Sequence, residues 1–538
     1  MSSTSSTPSP SSGSSTPTGD YQFSALGCVI EAINESCKQI NNAHYDIEGT
    51  GSLSEFEVFL CKLALVCQTQ RSPDTITSLV CLKTATGGAE FLFTSNDRAA
   101  PELEKTRRFL EKLLAFVSTN PENLNPKPLQ KQVLWRILEA NFDKLVGYLN
   151  SLNSSLALCL EQVEAITDLL DEAAADQLER LATRAQFPLD MFSTANSRQT
   201  FLSNCETLIK AIEGTKTTTI RRGTSLESHI EALSRTNPPQ DSHHDPTPWH
   251  TLRHCLGRIH SYRNAAIVIT KSPGKWPNLY RNFHVSYTSS SSEMRLCLPP
   301  SNWGSDNVIR AAFPGLNLSD IDEDIAQVRQ LGFDQLLQSR IKKMKSEKVR
   351  VHCEVNLHDY LVQNERTRCS DYWDNALFIA TSKPPCRFCH YYFRSSTNDF
   401  RVQPPHMNTY VRWRLPDSCD KRMEEDIVEQ LQSDILQMLR KKIPLFRRND
   451  SRTDSRGGID SRISGFLSTV SQEVDGFEVV SRPGSRVTDG RPSAGMYSQV
   501  GPPRDELVYN NVAPLVHERG HFGSVGDGRP FPDIGRAH

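Results

Sequence analysis

The segment Val351-His352-Cys353-Glu354 is followed, after an interval of about thirty residues, by Pro385-Cys386-Arg387-Phe388-Cys389. Two thiolates and one neutral imidazole provide three corners of a zinc tetrahedron and leave the fourth corner for water. The histidine and the two cysteines are therefore the candidate metal ligands. The glutamate is the candidate for proton transfer, because a carboxylate that does not bind the metal is needed to move protons beside it.

The spacing of the two cysteines predicts how a helix presents them. Cys386 and Cys389 are three residues apart, so in the first turn of a helix both sulfur atoms face roughly the same way. Pro385 suits a helix start. Free amide groups and the positive end of the helix dipole favour thiolates at that position. The second motif is therefore predicted to begin a helix that carries two metal ligands.

The first motif is predicted to lie at a strand-to-helix junction. The run Val349 to Val351 indicates a short strand that would deliver His352 to the start of a helix. An N-cap geometry there would let His352 and Glu354 point into the same cleft, which two positions within a regular helix would not. Both halves of the site are thus expected at helix N-termini.

The combined pattern, H-x-E followed by P-C-x-x-C, is the arrangement found in zinc deaminases of nucleobases and nucleosides. Zinc lowers the pKa of a bound water to about 7. Glu354 is the residue placed to carry a proton from that water to a ring nitrogen and then to the leaving ammonia. The leading hypothesis is therefore Zn²⁺-dependent hydrolytic deamination of a cytosine- or adenine-type base. The sequence leaves open whether that base is free, in a nucleoside or within a nucleic acid.

Other site types use some of the same residues. Cys386-x-x-Cys389-His390 also spells a c-type haem attachment site, although that chemistry belongs to exported proteins. A thioredoxin-like redox pair is a second alternative, but it leaves His352 and Glu354 without a role.

A purely structural zinc site is the third alternative. It requires a fourth protein ligand, and the candidates are Cys353, Cys369, His358, His390 and His406. The corresponding function is a catalytically inactive, zinc-stabilised deaminase fold that serves as an interaction scaffold. Glu354 separates the two hypotheses, because a structural site needs no proton shuttle.

A longer stretch around the second motif resembles a known family. Ser382-Lys383-x-x-Cys386-x-x-Cys389 is followed by His406-x3-Tyr410-x2-Trp413-Arg414-Leu415-Pro416. This pattern resembles a fungal group of deaminase-like proteins that is similar to a rickettsial-type clade of the cytidine deaminase-like superfamily. The resemblance covers about residues 350–416. It implies a three-layer α/β/α fold with zinc held between two helix N-termini, with His352, Cys386 and Cys389 as ligands and Glu354 as the proton shuttle.

Composition limits the setting in which this chemistry operates. The 538 residues contain 61 Lys and Arg against 63 Asp and Glu, so no global field attracts nucleic acid or a membrane. The first residues lack the basic and apolar regions of a secretory signal, and no stretch approaches the roughly 18 apolar residues of a membrane span. Fourteen cysteines are therefore expected as reduced thiols in an intracellular protein, cytoplasmic or nuclear, with no membrane partner.

Composition and periodicity predict an α+α/β organisation. Residues 1–20 are expected to form a disordered Ser/Thr/Pro arm and residues 449–538 a disordered tail. Residues 21–236 show helical periodicity and predict a helical domain, and residues 237–248 form a polar linker. Residues 249–448 alternate strand-like and helical runs and predict the deaminase-like zinc domain. Protein partners of the helical domain and tails are not indicated.

Some individual elements are also predicted. Gly87-Gly88 separates two β-type runs and predicts a hairpin over Ser78 to Thr94 within the helical region. Helices are expected at about 320–346 and, with a start signal at Pro416-Asp417-Ser418, over the apolar series Met423 to Leu439. Strand-like runs occur at Ala265 to Thr270, Phe283 to Thr288, Met294 to Leu298, Ala376 to Ala380 and Tyr410 to Leu415.

Weaker signals concern contacts to substrate. Phe388, Tyr391, His406 and Trp413 are candidates for contact with a flipped base, although aromatic residues on a buried helix more often belong to the core. Two basic runs, Arg340 to Arg350 and Arg440 to Arg448, flank the deaminase-like segment. They are candidates for phosphate contact by a nucleic acid, and solvated helix faces or a nuclear-import signal explain them equally well.

Overall fold

The computed structural model describes residues 19–441 except for short internal gaps, at 38–52, 164–171, 217–224, 236–246, 296–303, 315–316, 318, 320 and 345–347. The predicted Ser/Thr/Pro arm (apart from its last two residues), most of the predicted linker and the predicted tail lie outside the described residues. The predictions about those segments are therefore not addressed by the structure.

Fifteen α-helices and seven strands are assigned within the described residues. The helices are α1 Gly19–Cys37, α2 Glu55–Cys67, α3 Ala100–Thr119, α4 Pro126–Ala140, α5 Phe142–Val163, α6 Glu172–Ala185, α7 Ala195–Gly214, α8 Leu226–Arg235, α9 Pro248–Lys275, α10 Ser305–Ala312, α11 Asp322–Gln330, α12 Phe333–Met344, α13 Cys353–Gln363, α14 Arg387–Ser395 and α15 Lys421–Lys441. The strands are β1 Thr77–Lys83, β2 Ala89–Ser95, β3 Phe283–Tyr287, β4 Met294–Arg295, β5 Lys348–Val349, β6 Phe378–Thr381 and β7 Arg401–Val402.

Five of the strands form one mixed sheet, in the order β3-β2-β1-β6-β7. The central strand β1 is antiparallel to both of its neighbours, β2 and β6. The outer strands are parallel to theirs, β3 to β2 and β7 to β6. Strands β4 and β5 form a separate antiparallel pair just before the first motif.

The predicted hairpin is present, and its two glycines have different roles. Gly87 has φ of 78°, the left-handed conformation that a tight turn requires and that glycine adopts without strain. A Cβ atom on Gly88 would lie 2.2 Å from the carbonyl oxygen of Asn282, so only glycine lets the two backbones approach this closely. The turn therefore determines both the hairpin and how closely β3 approaches β2.

Helices pack on both faces of the sheet. Side chains alternate along β1, so that Leu79 and Cys81 enter one core while Val80 and Leu82 enter the other. The first core contains the helices α2 to α9. The second contains α1, α10 to α12, and the two helices that follow the motifs, α13 and α14, with α15. The sheet is thus a middle layer between two helical layers.

Most of the predicted elements are confirmed. Strands overlap the runs predicted at Ser78 to Thr94, Phe283 to Thr288, Met294 to Leu298 and Ala376 to Ala380, and helices α11, α12 and α15 lie where the periodicity places them. The run Tyr410 to Leu415 forms no strand; Trp413 makes an isolated bridge to Arg350, and the side chain of Arg412 donates to the carbonyl of Lys348 (3.4 Å).

The strand predicted at Ala265 to Thr270 is wrong, because these residues belong to the long helix α9. The run is rich in β-branched residues, but α9 is enclosed by other helices, and its buried residues lie on nearly all sides. Periodicity does not distinguish a helix that is apolar all round from a buried strand. Tertiary packing therefore decides the conformation here.

The sheet draws on both halves of the chain. β1 belongs to the region predicted to be helical, and its Ser78 pairs with Thr381 in the region predicted to be deaminase-like. The division into domains remains a prediction, but the hairpin lies beside β6, the strand that precedes the second motif. Within the described ranges, the helices lack the combination of length and apolar character that a membrane span requires.

Candidate metal centre and active site

The first motif lies at a strand-to-helix junction, as predicted. The backbone of Arg350 is held between two residues of a neighbouring segment, since its N–H donates to the carbonyl oxygen of Arg412 (3.1 Å) and its carbonyl accepts from Arg414 (3.0 Å). Two residues later His352 is the N-cap of α13, with an extended backbone (φ −68°, ψ 151°). Its imidazole makes no capping hydrogen bond to the helix.

The second motif begins α14 in the same way. Cys386 is the N-cap, with an extended backbone (φ −79°, ψ 175°) and no capping bond from its side chain. Cys389 follows in the first turn and is completely buried. The N–H of Arg387 donates to the carbonyl oxygen of Asn408 (3.0 Å), which positions this turn from outside the helix. Two helix N-termini therefore face each other.

The three candidate ligands converge. The Sγ atoms of Cys386 and Cys389 lie 3.6 and 3.4 Å from Nδ1 of His352 and 3.5 Å from each other. Tetrahedral zinc with bonds of about 2.3 Å to sulfur and about 2.0 Å to nitrogen has ligand–ligand edges of roughly 3.5 to 3.8 Å. The donor types and their separations fit a zinc ion held by three protein ligands.

The pKa values of the two thiols are shifted in opposite directions. Burial opposes the charged form of Cys386, but the hydrogen bond shared with Cys389 and the charge of His352 outweigh it, so the pKa of Cys386 is well below its usual range. Burial and the neighbouring Cys386 sulfur raise the pKa of Cys389 well above its usual range. The thiolate is the form in which cysteine binds a metal, and the contact with His352 favours that form at Cys386.

Glu354 lies beside this group without belonging to it. The set of donor atoms that all lie within 4.8 Å of one another, among the residues described, consists of His352, Cys386 and Cys389. The Glu354 side chain is only 5% exposed and accepts a hydrogen bond from the Cys353 thiol (3.4 Å). It lines a cavity together with His352 and Cys386. This is the placement expected of a proton-transfer residue rather than a ligand.

The cavity that the motif residues line has a volume of about 410 Å³. Its wall combines residues of α1, α12, the end of the hairpin and the segment after β7 with the motif residues. This volume lies within the range of about 300 to 1,000 Å³ that is usual for small-molecule sites. Two of the candidate metal ligands, His352 and Cys386, therefore line a cavity large enough for one small molecule.

The candidates for a fourth ligand have other positions. The Cys353 thiol is fully buried and accepts from the hydroxyl of Ser78 (3.0 Å). His358 shares a hydrogen bond with the Tyr392 hydroxyl (2.9 Å), and Cys369 is exposed. His390 contacts the ring of Tyr391, whereas His406 lines the cavity. Within the described residues, these side chains do not join the three converging donors.

Of the four residues predicted to contact substrate, His406 is the one that lines the cavity. Its Nδ1 accepts from the N–H of Asn408 (2.9 Å). Phe388 stacks on Trp413 with ring centroids 5.1 Å apart, and each side chain is at most 2% exposed. The Tyr391 hydroxyl donates to Asp434 of α15. The contacts of these three aromatic residues are those of core residues.

Sequence reasoning missed two residues that position α13. Asn96, just after β2, accepts from the N–H of Cys353 (2.7 Å) and donates to the carbonyl of Pro73 (3.0 Å), and it also lines the cavity. The guanidinium of Arg350 is buried and pairs with Asp74 (2.8 Å), Asp97 (3.1 Å) and Glu293. No local pattern could have indicated either role, because Asn96 meets Cys353, and Arg350 meets its three carboxylates, across more than 50 residues of sequence.

The predicted basic runs contribute unequally to the described structure. Arg340, Lys343 and Arg350 of the first run line the cavity. Arg340 pairs with Glu31 of α1 (3.2 Å). Most of the second run, Arg440 to Arg448, lies outside the described residues.

Comparison with protein-family models matches residues 351–417 to the family described as OTT_1508_deam:-like deaminase. The matched segment contains both motifs and the His406–Pro416 stretch, so the chain carries a deaminase-like segment there. Comparisons with curated proteins and with solved structures gave no significant match.

Proposed function

We propose that the protein is a zinc-dependent hydrolytic deaminase that acts on a nucleobase, and that its deaminase-like segment is related to the fungal group and the rickettsial-type clade named above. The observation that carries this proposal is the convergence of His352, Cys386 and Cys389 at one end of a cavity that Glu354 also lines. The family match over residues 351–417 supports the same reaction class.

The three ligands suit zinc in its catalytic form. Two sulfurs and one ring nitrogen are zinc donors, and their separations match a tetrahedron with one corner left open. When bound there, zinc would lower the pKa of a water molecule to about 7 and so make hydroxide available at neutral pH. Because His352 and Cys386 line the cavity, a metal ion held by these ligands would be next to a bound substrate.

Glu354 is the residue that would move the protons. In hydrolytic deamination the oxygen of water replaces an exocyclic amino group, which leaves as ammonia. The Glu354 carboxylate would take a proton from the water, deliver it to the adjacent ring nitrogen and return a proton to the departing amine. Burial of this side chain excludes bulk water from that path. A zinc site without a catalytic role would have no use for a carboxylate in this position.

We also propose an intracellular location, cytoplasmic or nuclear. The cysteines whose side chains are described are free thiols, which suits a reducing compartment.

The test is an assay of full-length protein with cytidine, adenosine, their nucleotides and single-stranded RNA and DNA. We expect wild type to deaminate one of these substrates, and Glu354→Gln to lower the rate by about 10²- to 10⁴-fold while zinc content is unchanged. Glu365→Gln is the matched control, because this exposed carboxylate follows the same helix and should leave the rate unaltered.

Two results would contradict the proposal. Wild type with full zinc occupancy that converts none of the substrates would favour the scaffold function instead. Wild type that binds no zinc would exclude both functions.

A further inference from the structure

The thiol of Cys353 lies between the proton-transfer residue and the central strand of the sheet. Cys353 is completely buried. Its thiol donates to Oε2 of Glu354 (3.4 Å), and its sulfur accepts from the hydroxyl of Ser78 (3.0 Å). Ser78 is also completely buried, on β1. These three side chains therefore form a chain of hydrogen bonds that leads from the sheet to the Glu354 carboxylate.

The direction of this chain follows from the protons that are available. The Ser78 hydroxyl has one proton and gives it to the sulfur, so the thiol proton points away from the strand. An unprotonated sulfur at 3.4 Å from a carboxylate would place two negative charges side by side in a buried position, which is unfavourable. The proton of the Cys353 thiol therefore lies between its sulfur and Glu354.

The backbone of Cys353 is held from the same part of the sheet. Its N–H donates to Oδ1 of Asn96 (2.7 Å) at the start of α13. Ser78 lies on β1 and Asn96 directly follows β2, and these two strands are paired along their whole length. Both the backbone and the sulfur of Cys353 are thus fixed by one hairpin, so its thiol can fix Glu354 in turn.

Glu354 needs such support because its side chain is long and flexible. In the proposed reaction its carboxylate meets first the water and then the ring nitrogen. A displacement of about 1 Å at a reacting group can cost about 10²-fold in rate. A hydrogen bond to Oε2 limits the positions that the carboxylate can adopt.

A second thiol near Glu354 cannot replace this contact when zinc is bound. Burial, the Cys386 sulfur and a hydrogen bond to Glu354 raise the pKa of Cys389. A cysteine that binds zinc is a thiolate and has no proton to donate. Because Cys389 is a candidate ligand, Cys353 is the neighbouring thiol that still donates to Glu354 in the zinc-bound protein.

We propose that Cys353 is a positioning residue for proton transfer, whose thiol holds Glu354 at Oε2 and is itself oriented by the Ser78 hydroxyl. This proposal rests on the deaminase function proposed above. It gives a role to a buried thiol that is not among the converging metal donors.

Steady-state kinetics of zinc-loaded, full-length protein tests this role, with cytidine, adenosine or whichever other substrate of the panel above wild type converts. Cys353→Ala removes the donor and should lower kcat by about tenfold, because a hydrogen bond to a charged group is lost, while KM and zinc content stay unchanged. Cys353→Ser keeps a donor and should remain within about threefold of wild type. Ser78→Ala keeps the thiol but not its orientation, so its kcat should lie between those of the two Cys353 variants.

Infrared spectroscopy tests the hydrogen bond without turnover. The S–H stretching band that is present in wild type and absent from Cys353→Ala belongs to this thiol. A hydrogen bond to a carboxylate is stronger than one to an uncharged amide and lowers the stretching frequency more. We therefore expect the band to move to higher frequency in Glu354→Gln, both with and without zinc.

Cys81→Ala is the matched control. Cys81 is a buried thiol on the same strand as Ser78, but its side chain enters the opposite core. Its replacement removes the same atom from the interior and should leave kcat and zinc content unchanged.

Several outcomes would overturn the proposal: equal kcat in Cys353→Ala and wild type, the same loss in Cys353→Ser or Cys81→Ala as in Cys353→Ala, or loss of zinc in Cys353→Ala. An S–H band that does not respond to Glu354→Gln would overturn it as well. If wild type forms product in these cases, the deaminase function is retained. A band that shifts as expected without product formation by wild type would retain the hydrogen bond and remove the deaminase function, and with it the role in proton transfer.

Discussion

The N-termini of α2 and of the two motif helices, which lie on opposite faces of the sheet, are built differently. Helix α2 is closed by its own side chains, since Ser54 accepts from the N–H of Glu57 (3.2 Å) and Glu57 accepts from the N–H of Ser54 (2.7 Å). The N-cap residues of α13 and α14 are His352 and Cys386, and neither side chain caps its helix. They face each other at 3.6 Å instead.

This difference shows what the metal centre requires of the fold. A side-chain cap is worth about 1 kcal/mol to a helix, and α13 and α14 both lack it. The amides in their first turns are satisfied by distant groups, the Asn96 side chain for Cys353 and the Asn408 carbonyl for Arg387. Natural sequences depart from local rules of this kind mainly at functional sites. Helices α4, α10 and α11 also lack a side-chain cap, so α13 and α14 are distinguished by the candidate metal ligands that occupy their N-cap positions.

The replacement Cys386→Ser should have the largest effect on the difference between the motif helices and α2. Serine is a good N-cap but a poor zinc ligand. We expect zinc content and activity to be lost, and with them the stabilisation by bound metal, about 4 kcal/mol when zinc exceeds its dissociation constant 1,000-fold. In metal-free protein the same change should raise the stability slightly, by up to about 1 kcal/mol, because the hydroxyl caps α14.

Metal analysis and urea unfolding with and without chelator measure both effects. Cys419→Ser provides the control, since this thiol is on the C-terminal side of the site and is not among the converging donors. Equal zinc content in Cys386→Ser and wild type would contradict the assignment of the ligand.

A second histidine, within α13, should make the stability of the protein depend on pH. His358 is 3% exposed, and burial lowers its pKa to about 4. In the unfolded chain its pKa is about 6.5, so between about pH 6.5 and 4 the unfolded state binds a proton that the folded state does not bind. Stability should therefore fall as the pH drops from about 6.5 towards 4, with a contribution from His358 of roughly 2 to 3 kcal/mol at about pH 4.5.

The measurement is the unfolding free energy of wild type and His358→Leu across this pH range, at one zinc concentration. The decrease should be smaller in the variant by the contribution of His358. The opposite slope, or equal slopes in the two proteins, would show that His358 is not held neutral in the core. The surroundings of His352 are different, because it is the N-cap of α13 and its side chain lines the cavity.

The sequence predicts the local half of the site and little of its support. His352, Cys386 and Cys389 could be placed at helix starts because the signals lie within a few residues: Pro385, the three-residue spacing and the preceding strand. Asn96 could not be assigned a role, and Arg350 was predicted only as part of a basic run, since each acts on a partner that is distant in sequence. A single sequence does not show which distant segments come into contact.

The same limit applies to the fold. The hairpin around Gly87 was predictable from its turn, but its pairing with β6 was not, because almost 300 residues lie between them. At Ala265 to Thr270 the local β propensity was outweighed by the surrounding helices. Propensity decides short segments where packing is neutral, and packing decides the others.

Loss of the Asn96 side chain tests how α13 is held without a cap. Asn96→Ala removes the acceptor of the buried Cys353 N–H, which costs about 1 to 3 kcal/mol when such a donor is left unpaired. Because the adjacent His352 is then less well oriented, we expect zinc affinity or activity to fall by about 10- to 100-fold. Zinc titration and thermal unfolding measure the two effects.

The variant Asn96→Asp keeps the acceptor oxygen but not the amide that donates to the carbonyl of Pro73 (3.0 Å), so it should recover part of the zinc affinity lost in Asn96→Ala. Equal zinc affinity in Asn96→Ala and wild type would show that the orientation of His352 does not depend on the bond to Cys353.

The smallest effect is expected at the helix that caps itself. Ser54→Ala removes the side-chain acceptor of the capping box, and the stability of the whole protein should fall by about 1 kcal/mol. Zinc affinity and activity should be unchanged, because α2 packs on the face of the sheet opposite to α13 and α14. Ser54→Asp, which keeps an acceptor, should retain the stability of wild type. If Ser54→Ala altered zinc affinity as much as Asn96→Ala, the two faces of the sheet would not be energetically separate, and the division between self-capped and metal-directed helices would not hold.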